Sequence, residues 1–314
     1  MCRCRIVGVT GFTRAAVSIG VFDGVHIGHR SLLSLLRSQA AAKDVTPVVL
    51  TFDRLPEELI APDRAPLCIN TLEQKLQLLS SAGAARVVVS PFDHTVAGLS
   101  PEDFVEVILL EELHAEVVVV GSNFRFGRGR AGDVNMLRQL GEKKGFGVVA
   151  VEPTTCRGSS VSSTRVRHAV SKGDLAGAAM LLGSRFTIRG RVVKGFGIGR
   201  KIGYPTANLQ LSSRQIVPVD GVYAVRVRVD GIWMPGVCSI GVRPTFGGTE
   251  RVVEVLIHNF DSDIYGFEID TEFHQKIRDQ VKFDSVDALK KQIDLDLEKS
   301  LDVVGALVKI AAVG

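Results

Sequence analysis

The hydrophobic pattern of the chain changes character once. Up to about residue 165, short apolar runs alternate with amphipathic stretches. "AVSIGVF", "TPVVLTF", "ARVVVSPF", "AEVVVVG" and "FGVVAVE" are separated by "HRSLLSLLRSQAAAK", "TLEQKLQLLSSAG", "SPEDFVEVILLEEL" and "VNMLRQLGEKKG". Runs that are apolar at every position predict strands buried on both faces, and the stretches between them predict helices. The segment is therefore expected to be a doubly wound, parallel α/β domain. Ser100 followed by Pro101, Glu102 and Asp103 reads as a helix start, with proline at the first position and carboxylates near the positive end of the dipole. In such a domain the ligand crevice lies at the carboxyl ends of the strands.

Near Ser184 the period becomes two. In "VYAVRVRVDGIWMPGV", Val225, Val227 and Val229 point one way and Arg226 and Arg228 the other, and Asp230-Gly231 supplies a two-residue hairpin turn. Further strands are expected at "FTIRGRVV", "VVEVLIHNF" and "FEIDTEF", giving an antiparallel barrel or sandwich. A long helix closes the chain, with Leu289, Ile293, Leu297 and Leu301 at i+4 steps. The expected organisation is a first domain over 1–165, a connecting helical segment over 166–184 and a second domain over 185–314.

Composition narrows the class. A chain of 314 residues, 46% hydrophobic and 23% charged, is globular and long enough for two domains. The net charge of +4 is too mild to argue for nucleic acid. Its distribution says more: from Ser184 to Asn208 there are six basic residues and no acid, and "NFRFGRGR" carries Arg125, Arg128 and Arg130. Both clusters are interleaved with glycine, which suits phosphate groups approaching the backbone. RNA readout favours aromatic interleaving, and aromatics are only 6%. Five scattered cysteines make no disulfide framework, and the Cys2/Cys4 pair lacks a second pair to complete a zinc site. No apolar run approaches the ~20 residues of a membrane span, so a reduced, cytoplasmic protein without a membrane partner is expected.

Two short segments carry candidate chemistry. "GVFDGVHIGH" ends a strand in Asp23-Gly24 and sets His26 and His29 around Gly28 at the start of a helix. Helix N-termini are prepared anion sites, and imidazoles there can donate hydrogen bonds to charge developing on phosphorus. "SVSSTRVR" places Ser162, Ser163, Thr164 and Arg165 at another helix start, where hydroxyls and a guanidinium suit phosphate. Together they describe a nucleotidyltransferase, in which a nucleotide's α-phosphate is attacked and pyrophosphate leaves.

With "GSNFRFGRGRAGD", "GFGIGRKIGYPTANL", "GVYAVRV", "SIGVRPTF" and "DIYGFEI" following in order, the chain resembles the bacterial bifunctional riboflavin kinase/FMN adenylyltransferase family, also called FAD synthetases, from about Val17 to Asp296. The resemblance implies a Rossmann-like nucleotidyltransferase domain followed by a six-stranded barrel kinase domain. It implies ATP, riboflavin and FMN as substrates and Mg2+ as the metal, and it leaves a homo-oligomer open. On it, His26, His29 and Arg165 stabilise the charge at the α-phosphate, Asn123 lines the nucleotide pocket, and Gly24, Gly28, Ser162, Ser163 and Thr164 serve the phosphates. In the second domain Thr206 and Asn208 would hold the magnesium, which needs few protein ligands. Gly195, Gly197, Lys201 and Gly203 would belong to a flap over the ATP phosphates, and Glu254, the only acid between Arg251 and Asp261, would be the base.

The chain departs from the family pattern at "TFDRLPEEL", where "TFDPHP" is usual. It departs again at Val21, where asparagine is frequent, at Val96, where an aromatic is common, and at Ser239, where asparagine is usual. Two other readings stay open at this point: a kinase whose first domain is structural or regulatory, and a flavin- or nucleotide-binding protein without catalysis.

Overall fold

Every residue of β1 (Ala15–Ile19) is buried, because strands pair with it on both sides. On one side lie β2 (Thr46–Phe52) and β3 (Arg86–Ser90), and on the other β4 (Ala115–Gly121) and β5 (Gly147–Val151). All are parallel, in the order β3-β2-β1-β4-β5. The computed structural model describes residues 11–195, 197–245 and 248–311, so the Cys2/Cys4 pair, Phe196 of the glycine-rich flap and Phe246 of "SIGVRPTF" lie outside the described residues.

Parallel strands require crossovers, which the amphipathic stretches supply. On one face α1 (Ile27–Lys43) and α2 (Leu72–Ser81) bring Leu33, Leu36 and Leu79 against Ala16, Val49 and Val119. On the other, α3 (Pro101–Asp103), its continuation Phe104–Glu112 and α4 (Val134–Lys144) bring Phe104, Ile108 and Leu137 against Ile19, Leu50 and Val118. The expected doubly wound architecture is therefore present. The helix predicted from Ser100 begins there, with Ser100 Oγ accepting from the Asp103 N–H at 3.0 Å. Beyond Asp103 it differs from a plain α-helix: it winds in i→i+5 steps, the Leu113 N–H donating to the Ile108 carbonyl at 3.1 Å. The strand order reverses between β1 and β4, so the crevice is expected beyond Ile19 and Gly121.

The chain divides into two compact units between Ser163 and Thr164. The stretch linking the two patterns contains α5 (Ser163–Ser171) and α6 (Leu175–Leu182). The second unit contains β6 (Thr187–Val193), β7 (Ala207–Leu211), β8 (Gly221–Val229), β9 (Ile232–Thr245), β10 (Gly248–Ile257) and β11 (Glu268–Arg278). These form a closed antiparallel barrel in the order β6-β7-β10-β9-β8-β11, so of barrel and sandwich it is the barrel that forms. Asp230 and Gly231 both take positive φ and join β8 to β9 with Val229 opposite Ile232, as the Asp-Gly pair predicts.

The valines of β8 are buried, and its arginines pair with acids on β11: Arg226 with Glu272 at 2.8 Å and Arg228 with Asp270. Arg189, from the acid-free basic stretch, is also tied to Asp270 at 2.7 Å, and Arg125 is tied to Asp133 at 2.9 Å. Each basic cluster thus commits a member to a carboxylate across a strand pair instead of to phosphate.

The closing helix is α7 (Val286–Ala311). Its buried line is not the i+4 leucine stripe alone. Among the residues whose burial is described, Asp296, Ser300 and Val304 are the most buried, an i+4 row one position before Leu297 and Leu301, so the contact line is rotated by about one residue from the leucine row. The two polar members are satisfied: Ser300 Oγ donates to the Gly236 carbonyl at 2.6 Å, and Asp296 takes a bidentate contact from Arg278 at 3.0 and 2.7 Å.

Candidate active sites

The loop after β1 is held in an unusual shape. Phe22 and Val25 have φ of 53° and 39°, conformations that side-chain-bearing residues rarely adopt, on either side of Asp23-Gly24, where Gly24 has φ 84°. The surroundings impose it. The buried Asp23 carboxylate accepts from the Ile69 N–H at 2.9 and 3.1 Å and from the Asn70 N–H at 3.4 Å. Lys75, buried in α2, donates to the carbonyls of Val21 at 3.2 Å and Phe52 at 2.7 Å, and Thr51 Oγ1 donates to Val21 at 3.1 Å. A capping box between Thr71 and Gln74 fixes the helix start at Leu72, three residues before Lys75. Sequence reasoning missed Lys75, since a lysine in an amphipathic helix gives no sign that it is buried.

This loop delivers the histidines. The α1 helix begins at Ile27, two residues earlier than the apolar pattern suggests, with His26 as its N-cap, and its first turn contains no acid. His26 Nδ1 accepts the His29 N–H at 3.2 Å, which assigns the ring proton of neutral His26 to Nε2. The two rings stack at 3.6 Å and 11°, and Phe22 meets His29 edge-on at 5.1 Å. Burial pushes His26 down to about 4. Burial, then the neighbouring His26 and Lys75, push His29 well below the usual histidine range. Both rings are therefore neutral near pH 7, available as hydrogen-bond donors and not as cations. His29 Nδ1 is buried without a partner among the described residues.

Gly28 lies where a Cβ would sit 3.3 Å from the His26 ring, so its bare backbone makes room for that imidazole. From the second motif, Ser163 opens α5 as predicted and its Oγ donates to the Asp23 carbonyl at 2.8 Å, which joins the two motifs at one loop. Ser162 directly precedes that helix, and Thr164 and Arg165 are its second and third residues. Asn123 sits in the turn after β4, the other strand flanking the order reversal.

The lowered histidines bear on stability. As pH falls from 6.5 towards 4, the unfolded chain takes up a proton at His26 that the folded chain refuses, so this contribution is present above 6.5 and lost below it. The loss is about 1.4 kcal/mol per pH unit, roughly 3 kcal/mol in all. Urea midpoints measured at pH 7 and pH 5 should drop in the wild type and drop less in His26→Gln.

In the barrel, Glu254 is half-buried on β10, directly opposite Asn208 on β7 and Ser239 on β9. A cavity of about 290 Å³ is lined by Glu254, Thr206, Asn208, Ser239, Gly197 and Gln280, with Leu289 and Ile293 of α7 at its side. Thr206 stands just before β7 instead of within it, yet lines the same space as Asn208. Gly195 makes room for the Asn208 amide: a Cβ at that position would lie 2.3 Å from Asn208 Nδ2. Gly197 and Gly203 take positive φ, and Lys201 ends a one-turn helix, Ile198–Lys201. Of the flap residues picked out in the sequence, Gly197 lines the cavity; Gly195, Lys201 and Gly203 do not. Tyr204 also lines it and donates to Asp294 of α7 at 2.6 Å.

Comparison with known proteins agrees unit by unit. A family model described as FAD synthetase matches residues 11–165, and one described as riboflavin kinase matches residues 182–304. The bifunctional riboflavin kinase/FMN adenylyltransferase of Escherichia coli (strain K12) is 42% identical over 282 residues, covering 89% of this chain and 90% of its own. That of Haemophilus influenzae is 39% identical, covering 90% and 92%. A Streptococcus pneumoniae structure described as a macrolide-efflux protein superposes with a TM-score of 0.83 at 33% identity, covering 92% of this chain and 95% of that one. Among the described residues of the present chain, no helix is long and apolar enough to cross a membrane. With nine-tenths of its length matched at these identities, and with both units matched by their own family models, the chain belongs to the bifunctional riboflavin kinase/FMN adenylyltransferase family.

Proposed function

We propose that the chain phosphorylates riboflavin to FMN in its barrel and adenylylates FMN to FAD in its α/β unit, using one ATP in each step. The observation that carries the reading is the presence of both halves of the chemistry in one polypeptide. Stacked neutral imidazoles sit at the N-terminus of α1, and a half-buried carboxylate sits beside Asn208 in a cavity. The assignment of residues 1–165 to the transferase, 166–184 to a connector and 185–314 to the kinase belongs to the same proposal.

In the α/β unit an oxygen of the FMN phosphate attacks the α-phosphorus of ATP in line, and pyrophosphate leaves. The neutral His26 donates from Nε2 to oxygen charge that grows at that phosphorus, and His29 offers a second ring donor. The α1 N-terminus, which carries no acid of its own, adds its dipole. Asn123 contributes to the nucleotide pocket, with Gly24, Gly28 and Ser162–Thr164 as its phosphate-side backbone and hydroxyls. Arg165 is kept in its phosphate role on the motif resemblance alone.

In the barrel Glu254 takes the proton of the ribityl 5′-hydroxyl, which attacks the γ-phosphorus of ATP and releases ADP. Thr206 and Asn208 carry neutral hard oxygens and line the same cavity as that carboxylate, and the bare backbone of Gly195 leaves room for the Asn208 amide. This donor set fits Mg2+, which keeps most of its ligands as water and phosphate oxygen and neutralises phosphate charge when bound. Gly195, Gly197, Lys201 and Gly203 supply the flap that follows the phosphates.

Purified protein incubated with riboflavin, ATP and magnesium should yield FMN and then FAD, resolved by chromatography. FMN that accumulates with no FAD would return the kinase-only reading, and no FMN at all would end the kinase assignment.

A further inference from the structure

Among the hydrogen-bonding groups of the kinase cavity that the reaction above does not use, Gln280 stands out. Gln280, just past β11, lines the cavity together with Glu254. Its Nε2 donates to Ser239 Oγ at 2.8 Å and to the Ile240 carbonyl at 3.1 Å, with the Gly221 carbonyl at 3.5 Å. Carbonyl oxygens accept only, so the nitrogen must face them, and the orientation of the amide is decided. Gly241 is the seat: a Cβ there would lie 3.3 Å from Nε2 and 3.4 Å from Cδ. The neighbouring Arg278 does not compete, because its guanidinium is spent on Asp296 and on the Asp279 carbonyl. What Gln280 can present to a ligand is therefore Oε1, an acceptor, held in place by both of its own N–H groups.

The position of this acceptor suggests its donor. Ser239, which takes the Gln280 hydrogen bond, stands directly opposite Glu254 in the β9–β10 ladder. The amide is thus one residue pair away from the base, alongside the part of the substrate whose end is deprotonated there. That part of riboflavin is the ribityl chain, which offers hydroxyl donors. We propose that Gln280 Oε1 accepts a hydrogen bond from one of the ribityl hydroxyls preceding the reactive one, and so makes the barrel selective for a polyhydroxylated chain. The proposal rests on Glu254 being the base. Ser239, where the family usually has asparagine, gives the Gln280 amide a hydroxyl to lean on.

The test is steady-state phosphorylation of riboflavin and of its 2′-, 3′- and 4′-deoxyribityl analogues by the full chain. In the wild type, one analogue should show kcat/KM about tenfold below riboflavin, the scale of one lost hydrogen bond. In Gln280→Met that difference should vanish, mainly through a raised KM for riboflavin, while the order of the other analogues is kept. Wild-type protein that treats all three analogues like riboflavin overturns the proposal, as does a variant that slows every substrate equally. Glu254→Ala is run beside it: full activity there removes the base assignment, while the pattern across deoxy analogues still reports on Gln280. A thermal melt checks that Gln280→Met is folded, and if it is not, Gln280→Asn, whose shorter side chain withdraws the acceptor, is read in its place against the same outcomes.

Discussion

Replacing Glu254 with alanine lowers riboflavin phosphorylation by about 10³-fold, within the 10²–10⁴ range for a positioned general base. It leaves the conversion of supplied FMN to FAD at the wild-type rate. Glu254→Gln should lose as much, since a carboxamide keeps the shape but cannot take the proton. The expectation follows from placement. Glu254 is half-buried, lines the cavity, and is flanked in the ladder by Asn208 and Ser239, so a substrate hydroxyl that enters the cavity finds a carboxylate on its wall. The check is FMN formation from riboflavin, with FAD formation from FMN as the internal control. Unchanged FMN formation in either variant removes Glu254 from the mechanism.

Replacing His29 with alanine should have the converse signature: FAD formation falls by about 10²–10³, the scale for removing one preorganised donor at a developing oxyanion. Riboflavin phosphorylation stays normal. The pH dependence sharpens this prediction. An imidazolium pair would lose activity as pH rises through 6.5. Here burial holds His26 at about 4 and His29 also low, so both rings are already neutral donors and neither titrates between pH 6 and 8. FAD formation over that range should therefore show no histidine-dependent decline. A fall in rate centred near 6.5 that disappears in the His29 variant would show the donors to be cations.

Most of the fold is legible in the sequence because local and global signals agree. Valine-rich runs form the parallel strands, the Asp-Gly pair turns the β8–β9 hairpin, and Ser100 starts its helix. What is not legible comes from distance. Lys75 looks like a solvated helix residue until β1 and β2 bring the carbonyls of Val21 and Phe52 to its ammonium group. That contact also bears on a departure from the family: the described hydrogen bonds at position 21 are made by the backbone carbonyl, which valine supplies as well as asparagine does, and the valine side chain packs against the core. At position 96, valine is buried in the core beside the sheet. In α7, the leucine stripe is read correctly as apolar, but the polar members of the buried line depend on Arg278 and Gly236, far away in sequence. Gln280 has no motif at all, and its role emerges only where β9 and the end of β11 converge.

The two in-register neighbours of Glu254 have a consequence for how this half of the molecule can diverge. Side chains alternate faces along a strand, so inserting or deleting a single residue ahead of Glu254 in β10 would turn the carboxylate to the opposite surface and part it from Asn208. Closure of the sheet leaves no free margin along which a strand could slide to restore the match. With Glu254 as the base, descendants of this barrel can exchange individual side chains, but the residue count of β10 ahead of Glu254 is tied to the reaction.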